Sequence, residues 1–242
     1  MTMNSWLTAR PIAHRGLHDM NKSVWENTLT AFGRAVDRNY AIECDVNLSA
    51  DGVPIVIHDS ELRRLTGADG FVWQRTAAEL GAMRVGGSRD HPPTLKEMLD
   101  FVGGRVPMVI ELKGAPGHDT GLVEQVGALL LDYPGNAAIM SFDHWLVRDF
   151  ARHASGIPAG LTALGTSEGD LEAHFSMLAH NISFVSYCLA DMPNRFVDFV
   201  RDRLSMPVIT WTVRDQAAVD KTFALADQMT FEGFLPDDAP IA

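Results

Sequence analysis

Glu43 and Asp45 stand two residues apart in the run Ala41-Ile42-Glu43-Cys44-Asp45-Val46, and Glu111 and Lys113 stand two apart in Glu111-Leu112-Lys113. On a strand, a spacing of two puts both side chains on one face. His14-Arg15 ends one short apolar segment, and His58-Asp59 ends another. Brought together, Glu43, Asp45 and Glu111 repel one another unless a cation lies between them. Oxygen-only ligands suit a hard ion, Mg²⁺ or Ca²⁺, better than zinc. Each piece alone has a plainer reading. Glu-x-Asp on a strand is commonly a solvated face, and Glu111 and Lys113 can simply pair with each other. The apolar neighbours of Glu43 and Asp45 speak against a solvated face, because unpaired carboxylates are costly in such surroundings.

For these groups to meet, the elements that carry them must end at one face. Apolar, β-branched runs predict strands at 11–13, 41–48, 108–113, 137–142, 159–163, 184–188, 208–213 and 228–231. Helical spacing predicts helices after Asn27 and over 95–102, 121–131, 145–153, 171–180, 195–204 and 216–225. Thr94, with Glu97 three residues on, forms a capping-box pattern. Asp51-Gly52 separates the strand at 41–48 from a run at 53–58, which predicts a hairpin. If Asp51-Gly52 is a two-residue turn, Asp45 faces His58 directly. Residues 59–93 read as an irregular insertion. Strand–helix alternation repeated eight times predicts an α/β fold, a (β/α)8 TIM barrel with a β-hairpin extension and a small insertion after strand 2. An open doubly wound sheet is the alternative, but no G-x-G-x-x-G or P-loop pattern supports a nucleotide site in one. In a barrel the chemistry sits at the C-terminal ends of the strands. His14, Arg15, Glu43, Asp45, Glu111 and Lys113 all fall there, and the hairpin brings His58 alongside.

Length agrees with one barrel over 1–242, since such domains typically use about 250 residues. Lys plus Arg number 20 against 31 Asp plus Glu, a net charge of −11. Such a chain gains no general attraction to nucleic acid or to anionic membranes. An anionic substrate would need a local offset such as a bound metal. Two cysteines, Cys44 and Cys188, exclude a disulfide framework or a Cys-rich zinc site, though not a single bridge. Alternation turns Cys44 away from its acidic neighbours, towards core packing. No apolar run approaches the ~20 residues that span a bilayer, so no stable membrane insertion is expected. With no export signal visible, the expected location is cytoplasmic.

Taken in order, the motifs resemble those of the glycerophosphodiester phosphodiesterases, of the phospholipase-C-like phosphodiesterase superfamily. They are His14-Arg15-Gly16, Glu26-Asn27-Thr28, Glu43-Cys44-Asp45-Val46, Asp51-Gly52, Val56-Ile57-His58-Asp59, Arg64-Leu65-Thr66, Pro93-Thr94-Leu95, Glu111-Leu112-Lys113, Ser141-Phe142 and Trp211-Thr212-Val213. The resemblance implies metal-dependent hydrolysis of glycerophosphodiesters, small-molecule substrates, to an alcohol and glycerol 3-phosphate. It implies His14 and His58 as the general acid and base. It implies Glu43, Asp45 and Glu111 as ligands of one divalent cation, and Arg15 and Lys113 as phosphate contacts. Glu26 would hydrogen-bond to and orient the site, and Phe142 and Trp211 would line the pocket. The imidazole pKa near 6.5 suits proton transfer in either direction near neutral pH.

Three departures from the family pattern stand out. Trp25 replaces a usual Pro before Glu-Asn-Thr, with an expected effect on loop rigidity and on the pocket wall. Glu232, with Pro236 nearby, replaces a usual Thr-Asp ending and is a candidate for that acidic position, outside the expected site. Arg214 follows Trp211-Thr212-Val213 where Asn is common, and either pairs with Asp215 or favours an anionic head group. His18 is close enough to His14 to reach the site, although the plainer reading of a loop histidine is solvent exposure. The alternatives are a phosphodiesterase for lysophospholipids or another glycerophosphoryl compound, a non-catalytic phosphate-binding barrel, and a metal-dependent isomerase or lyase on the same fold.

Overall fold

Strand and helix alternate along most of the chain in the computed structural model, which describes residues 5–236. The strands are β1 (Ile12–Ala13), β2 (Ala41–Leu48), β3 (Pro54–Val56), β4 (Met108–Leu112), β5 (Ala137–Ser141), β6 (Ala159–Ala163), β7 (Phe184–Cys188), β8 (Val208–Val213) and β9 (Gln228–Phe231). The helices are α1 (Leu29–Asp37), α2 (Arg63–Thr66), α3 (Ala77–Gly81), α4 (Leu95–Val102), α5 (Leu122–Leu131), α6 (His144–Phe150), α7 (Glu168–Ser176), α8 (Arg195–Asp202) and α9 (Gln216–Leu225). The sheet runs β1-β9-β8-β7-β6-β5-β4-β2, and β1 pairs with β2 to close it. The eight pairings around this ring are parallel, so all eight barrel strands end at one face. β3 pairs antiparallel with β2, outside the ring. The architecture is the closed α/β barrel expected from the alternation.

Alternation along the strands divides the core in two. Ile42, Cys44, Val46 and Leu48 of β2 join the large cluster beneath the helices. Ala41, Val109, Ala138, Met140, Phe184 and Ile209 point the other way and fill the barrel interior, with Leu7 and Ile12. Gly160 leaves room for the Phe184 ring, which a Cβ there would strike. Burying one such Val, Leu, Ile or Phe stabilises the fold by about 1.5–3 kcal/mol. The helices are fixed from their ends. In α4 Thr94 accepts from Glu97 N–H while Glu97 accepts from Thr94 N–H, a capping box that satisfies two orphan donors. Leu95, Met98, Leu99 and Val102 then fall on one buried face. Gly103, left-handed at φ 57°, ends the helix.

The hairpin differs from the expected register by one residue. Val46, Asn47 and Leu48 face Val56, Ile55 and Pro54. Ser49 N–H donates to Val53 O, and Gly52 N–H donates to Ser49 O. The loop is therefore three residues, Ala50-Asp51-Gly52, with Gly52 left-handed at φ 75°. That is the three-residue hairpin with glycine in the αL position, and it displaced the two-residue turn expected from Asp-Gly. Ile57, not His58, lies across from Asp45, to whose carbonyl it donates. His58, the next residue, lines the barrel mouth, its carbonyl accepting from Asn47 Nδ2 at 3.3 Å.

Residues 59–93 are more ordered than an irregular excursion. They hold α2, a 3-10 turn at Val72–Gln74 and α3. Leu62, Leu65, Val72, Leu80 and Val85 build a small core of their own with Ile55 and Ile57. Trp25 packs there, and a Cβ on Gly86 would overlap its ring. The expected Trp25 effect thus falls on the insertion and not on the pocket wall. α7 begins at Glu168, earlier than expected, because Ser167 caps it with Asp170 in a box. Among the described residues no helix is long and apolar enough to cross a membrane.

Candidate active site

The floor of the site is made by β2 and β4. Alternation sends Glu43 and Asp45 inward, and the parallel register sets Asp45 across from Glu111. One oxygen from each of Glu43, Asp45 and Glu111 lies within 4.8 Å of the other two. All three side chains are buried. Lys113, just beyond β4, places Nζ 2.9 Å from Asp45 Oδ1 and also bonds Glu111. Asn27 clamps Asp45 from the other side. Its Nδ2 donates to Asp45 Oδ2 at 2.8 Å, and Asp45 N–H donates to Asn27 Oδ1 at 3.3 Å.

The His-Arg-Gly turn after β1 is tied to this floor. Arg15 adopts φ 54°, a left-handed conformation that costs a non-glycine residue about 1–2 kcal/mol. Its N–H donates to Glu43 Oε2 at 2.8 Å, its carbonyl accepts from Asn27 N–H at 2.9 Å, and its Nη1 donates to Glu26 Oε1 at 2.7 Å. These bonds hold the strained backbone at the site. Gly16 follows at φ 79°, its N–H donating to Glu43 O at 3.2 Å. A Cβ at Gly16 would run into Phe32 and Ala31, so the turn needs glycine there.

Two imidazoles flank the carboxylates. His14 Nδ1 donates to Glu232 Oε2 at 2.5 Å, and its Nε2 lies 3.9 Å from Glu43 Oε2. Glu232 Oε1 accepts from Arg214 Nε at 2.9 Å. His58 Nδ1 donates to Asp59 Oδ1 at 2.7 Å. Asp59 is held by Arg64, whose Nη1 and Nη2 also donate to Glu26 at 3.0 and 2.8 Å. A carboxylate on Nδ1 fixes the tautomer and leaves Nε2 for the site.

His14, Arg15, Glu43, His58, Glu111, Lys113, Phe142 and Trp211 line one cavity of about 240 Å³, with Asp45 on its floor. Every residue expected at the site converges here except Glu26, which stands behind Arg15 and Arg64. A larger hollow of about 920 Å³, lined by Thr8, Arg201 and Asp227 among others, lies away from these groups.

The family model for glycerophosphoryl diester phosphodiesterases matches residues 14–239. This chain belongs to that family. It is 32% identical to YhdW of Bacillus subtilis (strain 168), a protein named for this activity, over 242 residues covering 93% of each chain. A phosphodiesterase of Oleispira antarctica, solved in complex with the product sn-glycerol-3-phosphate, superposes with a TM-score of 0.79 at 22% identity. That match covers 93% of this chain and 92% of the other, and it shows the shared fold. The glycerophosphodiester phosphodiesterase of Thermotoga maritima matches with a TM-score of 0.72 at 25% identity, covering 92% and 94%.

Electrostatics single out the carboxylates of this family member. Burial, with Asp45 and Glu111 close by, holds Glu43 well above the usual carboxylate range. Burial likewise raises Glu111 to about 7 although Lys113 opposes it. Asp45 goes down despite its burial, because Lys113, His58 and Arg15 surround it with positive charge. Burial lowers both His14 and His58, against the pull of Glu232 and of Asp45 respectively. Arg64 hydrogen bonds and Arg15 overcome burial to hold Glu26 down to about 2.

Several groups escaped the reading of the sequence. Asn27 belongs to the Glu-Asn-Thr motif, but its partner, Asp45, is eighteen residues away. Arg64 and Asp59 were also in motifs, but their joint hold on His58 depends on how the insertion folds back. Glu232, outside the expected site, lies nearer His14 than Glu43 does. Arg214 pairs with Glu232 and not with Asp215, which instead caps α9 through Ala218 N–H. His18 is buried, not exposed, with Nε2 at 3.6 Å from Glu232 Oε2. Thr162 lines the cavity with its hydroxyl unpartnered. Cys44 is buried and both cysteines are free.

Proposed function

We propose that this protein hydrolyses glycerophosphodiesters to an alcohol and glycerol 3-phosphate, using a divalent cation and a His14/His58 proton-transfer pair. The observation that carries this reading is three buried carboxylates at the mouth of a barrel of this family, flanked by two imidazoles that each offer Nε2. The donor set fits a hard cation such as Mg²⁺ or Ca²⁺. Glu43, Asp45 and Glu111 supply only oxygens, their mutual repulsion is otherwise met by Lys113 and Arg15, and Glu43 Oε1 is buried without a hydrogen-bond partner. When bound, such a cation withdraws charge from the diester's non-bridging oxygens.

The chain's own residues do the rest. Lys113 and Arg15, both at the cavity wall, contact the phosphate oxygens and are positioned for charge that grows during attack. Nε2 of one neutral imidazole accepts the nucleophile's proton, and the other ring, protonated on both nitrogens as imidazolium, gives its Nε2 proton to the leaving alkoxide. Glu232 and Asp59 hold the Nδ1 proton of each ring, so that proton exchange with the substrate takes place at Nε2. Each transfer is typically worth about 10²–10⁴-fold. Phe142 and Trp211, ring centroids 5.4 Å apart and edge to face, wall the alcohol side. Glu26 orients Arg15 and, through Arg64, Asp59.

The test is release of glycerol 3-phosphate from glycerophosphocholine, with and without EDTA, and with Mg²⁺ and Ca²⁺ added back separately. Release that stops with EDTA and returns with one ion is the expected result. Release unaffected by EDTA sinks the cation's part. No release from this or any other glycerophosphodiester sinks the hydrolase reading.

A further inference from the structure

We infer that the leaving alcohol lies in a second hollow beside the catalytic cavity, and that this hollow selects alcohols carrying negative charge. The inference rests on the phosphodiesterase reading above and names its substrate class. The hollow measures about 530 Å³ and shares Trp211, Thr212 and Arg214 with the catalytic cavity. A diester whose phosphorus sits between the imidazoles can therefore send one ester arm past Trp211 and Arg214 into it. Leu189, Cys188 and Lys221 form the rest of its functional wall.

Charge decides the class of alcohol. The lining residues include two cations, Arg214 and Lys221, and no carboxylate, in a chain whose net charge is −11. Lys221 Nζ donates to the neutral carbonyl of Leu189 at 2.7 Å and has no ion-pair partner among the described residues. Arg214 shares its charge with Glu232, which also serves His14, so it stands at the junction of the two hollows. A quaternary ammonium head meets like charge here, whereas a phosphate or carboxylate on the alcohol meets opposite charge. Both cations are exposed, so the preference is an effect of low ionic strength.

Three diesters share the glycerol 3-phosphate arm and differ in the alcohol: glycerophosphoglycerol phosphate, glycerophosphoglycerol and glycerophosphocholine. Turnover is measured with the wild type, and binding by calorimetry with the His58→Ala variant. We expect kcat/KM and affinity to fall in that order at low salt, by about fivefold per charge step. Lys221→Gln narrows the spread, and Lys221→Glu reverses the order. Location is read from Cys188, since Cys44 is fully buried. The anionic diester should slow alkylation of Cys188, and glycerophosphocholine should slow it less. A flat order, an order unmoved by Lys221→Glu, or alkylation indifferent to the diester overturns the inference. Absence of turnover with all three instead sinks the hydrolase reading, while the binding order still decides whether the hollow selects for charge.

Discussion

His14 and His58 face the same carboxylates but are held by different parts of the molecule. Each gives its Nδ1 proton to a carboxylate, and each carboxylate is held by an arginine: Glu232 by Arg214, Asp59 by Arg64. The His14 arm belongs to the barrel, since β1, β8 and β9 deliver all three members. The His58 arm belongs to the hairpin and the insertion. His14 is 15% exposed and Glu232 7%, against 32% and 26% for His58 and Asp59. The same chemical device is thus built once in a stiff, dry setting and once in a wetter one. The lower the local dielectric, the more a lost partner costs. The His14 arm should therefore be the more sensitive to change in its carboxylate.

The largest effects come from the imidazoles themselves. His14→Ala and His58→Ala should each lower kcat by about 10²–10⁴-fold, with the melting temperature and metal affinity little changed. A near-normal rate in either variant breaks the equivalence of the two arms. Glu43→Gln combined with Asp45→Asn attacks the floor that both arms share. Cation affinity by calorimetry should fall by at least about 100-fold, since removing a ligand exceeds the 10–100-fold typical of its outer partners. Unchanged affinity would place the cation elsewhere.

The carboxylate partners test the asymmetry directly. Glu232→Gln keeps the shape but removes the charge, as Asp59→Asn does on the other arm. We expect kcat to drop by about 10–100-fold for Glu232→Gln and by less than about 10-fold for Asp59→Asn, with KM nearly constant in both. Equal losses would mean that burial does not distinguish the arms. A larger loss for Asp59→Asn would invert the comparison.

The two arms also differed in how far they could be read from the sequence. The barrel was legible because period-2 apolar runs and capping signals act locally. β2, β6, β7, β8 and β9 fall at the predicted residues. Glu43, Asp45 and Glu111 were legible for the same reason: alternation decides which way they point. The hairpin register was not, because Asp-Gly serves both a two-residue and a three-residue loop with Gly52 left-handed in either, and the two differ at Asp51, which keeps a negative φ here where the two-residue turn would need a positive one. Glu232 and Arg214 were obscured for a different reason. They lie at the ends of strands more than 190 residues beyond His14, and only barrel closure between β1 and β9 brings Glu232 to it. Arg64 reaches Glu26 and Asp59 only when the insertion folds on its own small core.

The smallest expected effect is a pH dependence of stability in the metal-free protein, and it separates the floor from the arms. Burial lowers His14 and His58 below the ordinary 6.5, so their folded forms favour the neutral ring. Their contribution is fully present well above 6.5 and is lost as pH falls below it. Glu111 behaves oppositely. Its carboxyl, raised to about 7 from 4.5, stabilises the fold in its protonated form below pH 4.5 and loses that stabilisation as pH rises through about 7. Between pH 6.5 and 8 only the floor should lose stability. With EDTA present the melting temperature should therefore fall across this window, and added Mg²⁺ or Ca²⁺ should cancel the fall by replacing the proton with a cation. Glu111→Gln should make the metal-free curve shallower, leaving Glu43, also raised by burial, to supply what fall remains, whereas His58→Ala should leave it as it is. A fall that is undiminished in Glu111→Gln would mean that another group, not this carboxylate, titrates in the window.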